Sequence, residues 1–151
     1  MAGYPGAVLR VAVDVVEVDE MAASVARLGD RYVERLFTPE ELGPPPAVGA
    51  PARGAVDLAQ RFAAKEAALK VLAPGGRGLD WRSIELRRTA AGGWVLRLHG
   101  TAADLAHEAG IGHISLSVST AAGLAMAVAV GCPGGPREAA ATPAAEGTEG
   151  P

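Results

Sequence analysis

The chain has 151 residues, 49% of them hydrophobic but only 4% aromatic, and a formal net charge of -3 from 14 basic and 17 acidic side chains. That length suits one domain with a core of small aliphatic side chains, and the acidic balance excludes a protein that coats nucleic acid with a basic face. A single cysteine, Cys132, excludes an intrachain disulfide and a cysteine-rich zinc site and fits the cytoplasm, while MAGYPGAVLR has neither the charged start nor the long apolar stretch of a signal peptide or membrane anchor.

LRVAVDVVEV, residues 9 to 18, alternates and is rich in valine, so it predicts a strand with Leu9, Val11, Val13 and Val15 on one face and Ala12, Asp14 and Val16 on the other. From about Asp19 to Leu36 the spacing of Met21, Val25, Leu28, Tyr32 and Leu36 predicts a helix. FTPEEL starts another, with Thr38 as N-cap, Pro39 in the first turn and Glu41 completing a capping box. The prolines and glycines of residues 43 to 54 predict a loop, after which a helix runs from Val56 to Leu72 and stops at Ala73-Pro74-Gly75-Gly76.

SIELRR (83 to 88) and WVLRLHG (94 to 100) read as a hairpin turning at Gly92-Gly93. Thr101 to Ala109 reads as a short helix with Thr101 and Asp104 in cap positions, and ISLSVS (114 to 119) with GLAMAVAVG (123 to 131) forms a last hairpin. The expected fold is α+β: a small antiparallel sheet built from both hairpins and the first strand, with the helix of residues 56 to 72 packed over it. Residues 1 to 131 make the domain, and residues 132 to 151, with no large apolar side chain, form a disordered tail.

Two carboxylates stand where apolar residues belong. Asp14 interrupts the valine strand, and Glu66 falls on the stripe Leu58, Phe62, Glu66, Leu69 of the long helix. An ionised carboxylate on such a stripe needs a cation or a cleft, because burying it alone costs several kcal/mol or more. If the helix crosses the strand, Asp14 and Glu66 converge into an open site for a hard divalent ion such as Mg²⁺. Otherwise Asp14 is a strand-edge carboxylate facing water and Glu66 pairs with Arg61, Lys65 or Lys70; spacing leaves both readings open.

VDVVEV (13 to 18), LFTPEEL (36 to 42), RFAAKEAALKVL (61 to 72) and ISLSVS (114 to 119) resemble, in order and spacing over residues 9 to 131, the holo-acyl-carrier-protein synthase family of 4'-phosphopantetheinyl transferases. That resemblance implies an enzyme that moves the phosphopantetheine arm of coenzyme A to a serine of an apo acyl carrier protein, with Mg²⁺ and release of adenosine 3',5'-bisphosphate. It implies Asp14 and Glu66 as metal ligands and catalytic groups. Lys65 would touch the phosphates or help remove the serine proton, Arg61 would face coenzyme A, and Ser117 and Ser119 would lie on a strand contacting its nucleotide part. Gly75 and Gly76 occupy the family's glycine-bearing turn. It also implies a homotrimer with active sites between subunits, in fatty acid or polyketide biosynthesis.

Plainer readings stand beside these: Lys65 and Arg61 as solvated helix charges, the serines as a cross-strand hydroxyl pair, the glycines as a helix stop. The chain departs from the family in three places. Val118 stands where a histidine follows the second serine, Glu20 where an arginine begins the carrier-binding helix, and Ala12 where glycine is preferred. Arg27, Arg31 and Arg35 keep a basic face further along that helix. The departures motivate one alternative, a coenzyme A or carrier-protein binding module without transferase activity; a second is a magnesium-dependent enzyme acting on another diphosphate.

Overall fold

The computed structural model describes residues 9–44 and 54–134; the expected loop of residues 43 to 54 and the expected tail fall almost wholly outside them. Strand β1 (Arg10–Glu17) leads into α1 (Val18–Leu28), α2 (Asp30–Leu36) and the short α3 (Pro39–Leu42). The long α4 (Ala55–Leu72) is followed by a 3-10 turn (Trp81–Ser83), β2 (Ile84–Arg88) and β3 (Trp94–Leu98). Helix α5 (Gly100–Glu108) then precedes the hairpin of β4 (Ile111–Ala121) and β5 (Leu124–Pro133). No helix among the described residues is long and apolar enough to cross a membrane.

The class is α+β as expected, with two sheets where one was expected. Strands pair in the order β1-β5-β4 in one antiparallel sheet, and β2 and β3 pair only with each other. Strand β5 runs on through Cys132 and Pro133, so the domain extends past the expected boundary at residue 131. The single helix expected from Asp19 to Leu36 is two helices, because Gly29 takes φ 68 ψ -164 and turns the chain; the exposed Arg27 is thereby separated from Arg31 and Arg35 on α2. Helix α5 begins at Gly100 with His99 as its N-cap, ahead of the expected Thr101.

Alternation places the two faces of the main sheet in different environments. On the inner face Ala127 and Ala129 of β5 are fully buried with Ala63, Ala64, Ala67 and Ala68 of α4, and Ala125 with Leu58 and Ala59; the small side chains let helix and sheet approach closely. The outer face carries the rungs Val11–Val130–Ser115, Val13–Val128–Ser117 and Val15–Met126–Ser119. Val11 is 63% exposed and Val13 51%, so the valine row of β1 faces away from the core of its own chain.

Gly131 marks the tightest point of the inner face. A Cβ there would lie 2.6 Å from Cγ1 of Val71, a buried β-branched side chain with little room to yield. Gly131→Ala is expected to destabilise the fold by about 1–3 kcal/mol through overpacking. A denaturant midpoint equal to that of the unmodified protein would refute the close contact.

Candidate active site

Asp14 lies on the inner face of β1, on the rung of Ala127 and Val118, where α4 crosses the sheet. Helix α4 is buried on most of its circumference, and the stripe of Phe62, Glu66 and Leu69 is its half-open side. Glu66 therefore lines a cleft rather than the core. That cleft, about 330 Å³, holds Asp14 and Glu66 together with Glu20, Ser24 and Tyr32 from the helices that follow β1. The strand and helix patterns placed Asp14 and Glu66 separately; the crossing of α4 over β1 brings them together.

The electrostatics of the pair follow from that convergence. Burial, and next the like charge of Asp14, push the Glu66 carboxyl above its usual range, while Lys70 partly opposes the rise. Glu66 forms no ion pair among the described residues, with Arg61, Lys65 or Lys70. The Lys70 ammonium instead donates to Asp14 Oδ1 at 2.7 Å and to the Val13 carbonyl at 2.9 Å. Two carboxylates with one lysine leave excess negative charge on oxygen donors alone, and no third His, Cys, Asp or Glu completes a protein cage among the described residues. The pair fits a hard divalent ion that keeps open positions for water and phosphate.

Lys65 requires a correction. It is fully buried, and its ammonium donates to Glu41 Oε2 at 2.8 Å, to the Trp81 carbonyl at 2.9 Å and to the Ile84 carbonyl. All three N–H donors are committed, so none reaches the cleft to touch a phosphate or take a proton. Burial lowers its affinity for a proton, and Glu41 opposes that shift. Arg61 is likewise held away from the cleft, with Nε on Asp57 at 2.7 Å and a guanidinium NH on the Leu86 carbonyl at 2.8 Å.

Of the other expected site residues, Ser117 and Ser119 are exposed on the outer sheet face, opposite the face that carries Asp14. Within one chain they do not meet the carboxylates. Gly75 and Gly76 take φ +62 and +85 with open space around them, in the turn that stops α4. Val118 is part-buried against the core. From the sequence, Lys70 stands only as a partner for Glu66. Its position one turn beyond Glu66 was the available signal, since residues four apart share a helix face.

The 4'-phosphopantetheinyl transferase superfamily model matches residues 10–129. A holo-[acyl-carrier-protein] synthase of Solibacter usitatus is 39% identical over 116 residues, covering 76% of this chain and 90% of its own. One from Frankia alni is 42% identical over 125 residues, covering 82% and 97%. Among solved structures, the holo-[acyl-carrier-protein] synthase of Neisseria meningitidis superposes with a TM-score of 0.65 at 31% identity, over 80% of this chain and 95% of that one. The coenzyme A complex of the Chronobacterium ammoniagenes enzyme gives 0.67 at 26% identity, over 84% and 98%. With the family model spanning nearly all of the described fold, and the paired carboxylates inside the matched region, the chain belongs to the 4'-phosphopantetheinyl transferase superfamily and is an enzyme of it.

Proposed function

We propose that the protein transfers the 4'-phosphopantetheine group of coenzyme A to a serine of an apo acyl carrier protein at the Asp14–Glu66 cleft, in the cytoplasm, with Mg²⁺ and release of adenosine 3',5'-bisphosphate. The observation that carries this reading is the convergence of two carboxylates, one with a raised proton affinity, in an open cleft beside a single lysine. The serine Oγ bonds to the phosphorus bearing the pantetheine arm, its proton passes to water, and the bridging P–O bond breaks so that adenosine 3',5'-bisphosphate leaves. Bound Mg²⁺ would neutralise the diphosphate charge that builds up in this step. Asp14 and Glu66 are the residues that would hold the ion. Lys70 orients Asp14, and the third N–H of its half-exposed ammonium is available to a phosphate oxygen.

The outer sheet face supports a trimer whose sites lie between subunits. Val11, Val13, Val15 and Met126 form a continuous apolar surface beside Ser117 and Ser119, an area that a monomer would leave to water. In such an assembly a neighbour's outer face supplies the serines that one chain cannot bring to its own cleft. Light scattering at micromolar concentration is expected to give the trimer mass, and a monomer would remove this part of the reading.

Incubation with coenzyme A, Mg²⁺ and a panel of apo carrier proteins, read by intact mass, tests the whole proposal. The expected result is addition of one phosphopantetheine to at least one carrier; binding without mass change would favour a module that has lost transfer. Glu20 is exposed at the mouth of the cleft, where an acidic carrier approaches. Glu20→Arg is expected to raise the association rate with a generic acidic carrier several-fold at low salt, and less at high salt. An unchanged rate at both salt concentrations would place Glu20 outside the interface.

A further inference from the structure

Strand β2 has a partner on one side only, β3, yet its other edge is inside the protein. Its outward backbone groups are met by side chains in place of a strand. The Ile84 carbonyl accepts from Lys65, the Leu86 N–H donates to Glu41 Oε1 at 2.9 Å, and the Leu86 carbonyl accepts from Arg61 at 2.8 Å. Glu41 also accepts from the Thr38 N–H at 2.8 Å and from Lys65, so its carboxylate is bonded on both oxygens. Among the described residues no buried side-chain N or O lacks a partner. Buried charges spent this way join α3, α4 and β2 through directional bonds, where apolar packing alone would permit rotation.

Lys65 immediately precedes Glu66, and one residue along a helix is a turn of roughly 100° about its axis. The bonds from Lys65 and Arg61 to the β2 edge fix the azimuth of α4, and Glu66 is then left facing Asp14. We propose that Lys65, Arg61 and Glu41 are positioning residues: a side-chain substitute for a missing strand that sets the rotation of α4 and thereby aims Glu66 into the cleft. This rests on the reading of Asp14 and Glu66 as ligands to a divalent ion, and it assigns to the lysine of the KE pair a task that involves no contact with substrate.

The test is Mn²⁺ affinity by calorimetry on the full chain, without coenzyme A or carrier, at a temperature where circular dichroism shows each variant folded. Lys65→Met and the milder Arg61→Met, which leaves the Lys65–Glu41 pair in place, are compared with Leu105→Ala, a cavity-forming and destabilising change on α5. The expected result is a loss of Mn²⁺ affinity of roughly tenfold in Lys65→Met and a smaller loss in Arg61→Met, the range typical of residues that orient metal ligands, with Leu105→Ala unchanged. Unchanged affinity in folded Lys65→Met, or in Arg61→Met should Lys65→Met fail to fold, would overturn the proposal. Equal losses in all three would do so too, reducing the effect to lost stability. Absence of Mn²⁺ binding in the unmodified protein would instead refute the ligand reading on which the proposal rests.

Discussion

Glu66→Gln is expected to lower the transfer rate on the order of a hundredfold or more and, at the same time, to raise the melting temperature of the protein in chelator at neutral pH. The first effect follows from removing one of two protein charges on the ion; Asp14→Asn is expected to match it. The second follows from the direction of the pKa shift. Burial, then Asp14, raise the Glu66 carboxyl above its ordinary 4.5 in the folded state, so the folded protein holds that proton more tightly than the unfolded chain. Such a group contributes stability that is fully present below pH 4.5 and is lost as pH rises through the folded-state value. Glutamine has no charge to desolvate and escapes the loss. Melting curves of both proteins should therefore separate near neutrality and converge near pH 4.5. A Glu66→Gln variant that melts lower at neutral pH would mean that its carboxylate stabilises the fold, and retained full activity would mean that the pair does not hold the ion.

Glu41→Ala is expected to be among the most damaging single substitutions in the chain, at about 3–5 kcal/mol, because it strands the fully buried Lys65 ammonium and removes the acceptor of two backbone N–H groups. Glu41→Ala combined with Lys65→Met leaves no buried charge unpaired at this point and should recover part of the loss. Urea denaturation of the single and double variants measures the coupling. A loss below ~1 kcal/mol in Glu41→Ala would show that the pair is replaceable by water, and the buried network would then have little bearing on the fold.

These two predictions concern carboxylates that looked different in the sequence from how they act in the fold. Glu66 was conspicuous because it broke an apolar stripe. Glu41 looked like one half of a capping box, and the box is indeed formed, with Thr38 Oγ1 accepting from the Glu41 N–H at 3.1 Å. Nothing local announced that the same carboxylate would meet a lysine 24 residues further on. Lys65 likewise carries no local mark of burial: the apolar stripe of that helix runs through Glu66, and the alanines at 63, 64, 67 and 68 fit an inner or an outer face equally. The break at Gly29 was missed for a related reason: the apolar spacing from Met21 to Leu36 persists across it, and one glycine in such a pattern is compatible with either a continuous or a divided helix.

The sequence by itself determined the elements whose cause is local: the alternation of β1, the capping box at Thr38, the stop after Leu72 and the two hairpins. It also carried the family, through motifs in fixed order. The tertiary structure alone decided which faces are buried, and so which charges act on a substrate. It turned the valine row of β1 outward, placed alanines under α4 and joined Asp14 to Lys70 across 56 residues. Pattern along a chain specifies the angle between a residue and its neighbours on the same element; the partner of a buried charge is set by how elements cross. The neighbours Lys65 and Glu66 therefore diverge, one to a strand edge that needs donors and the other to a cleft that needs charge.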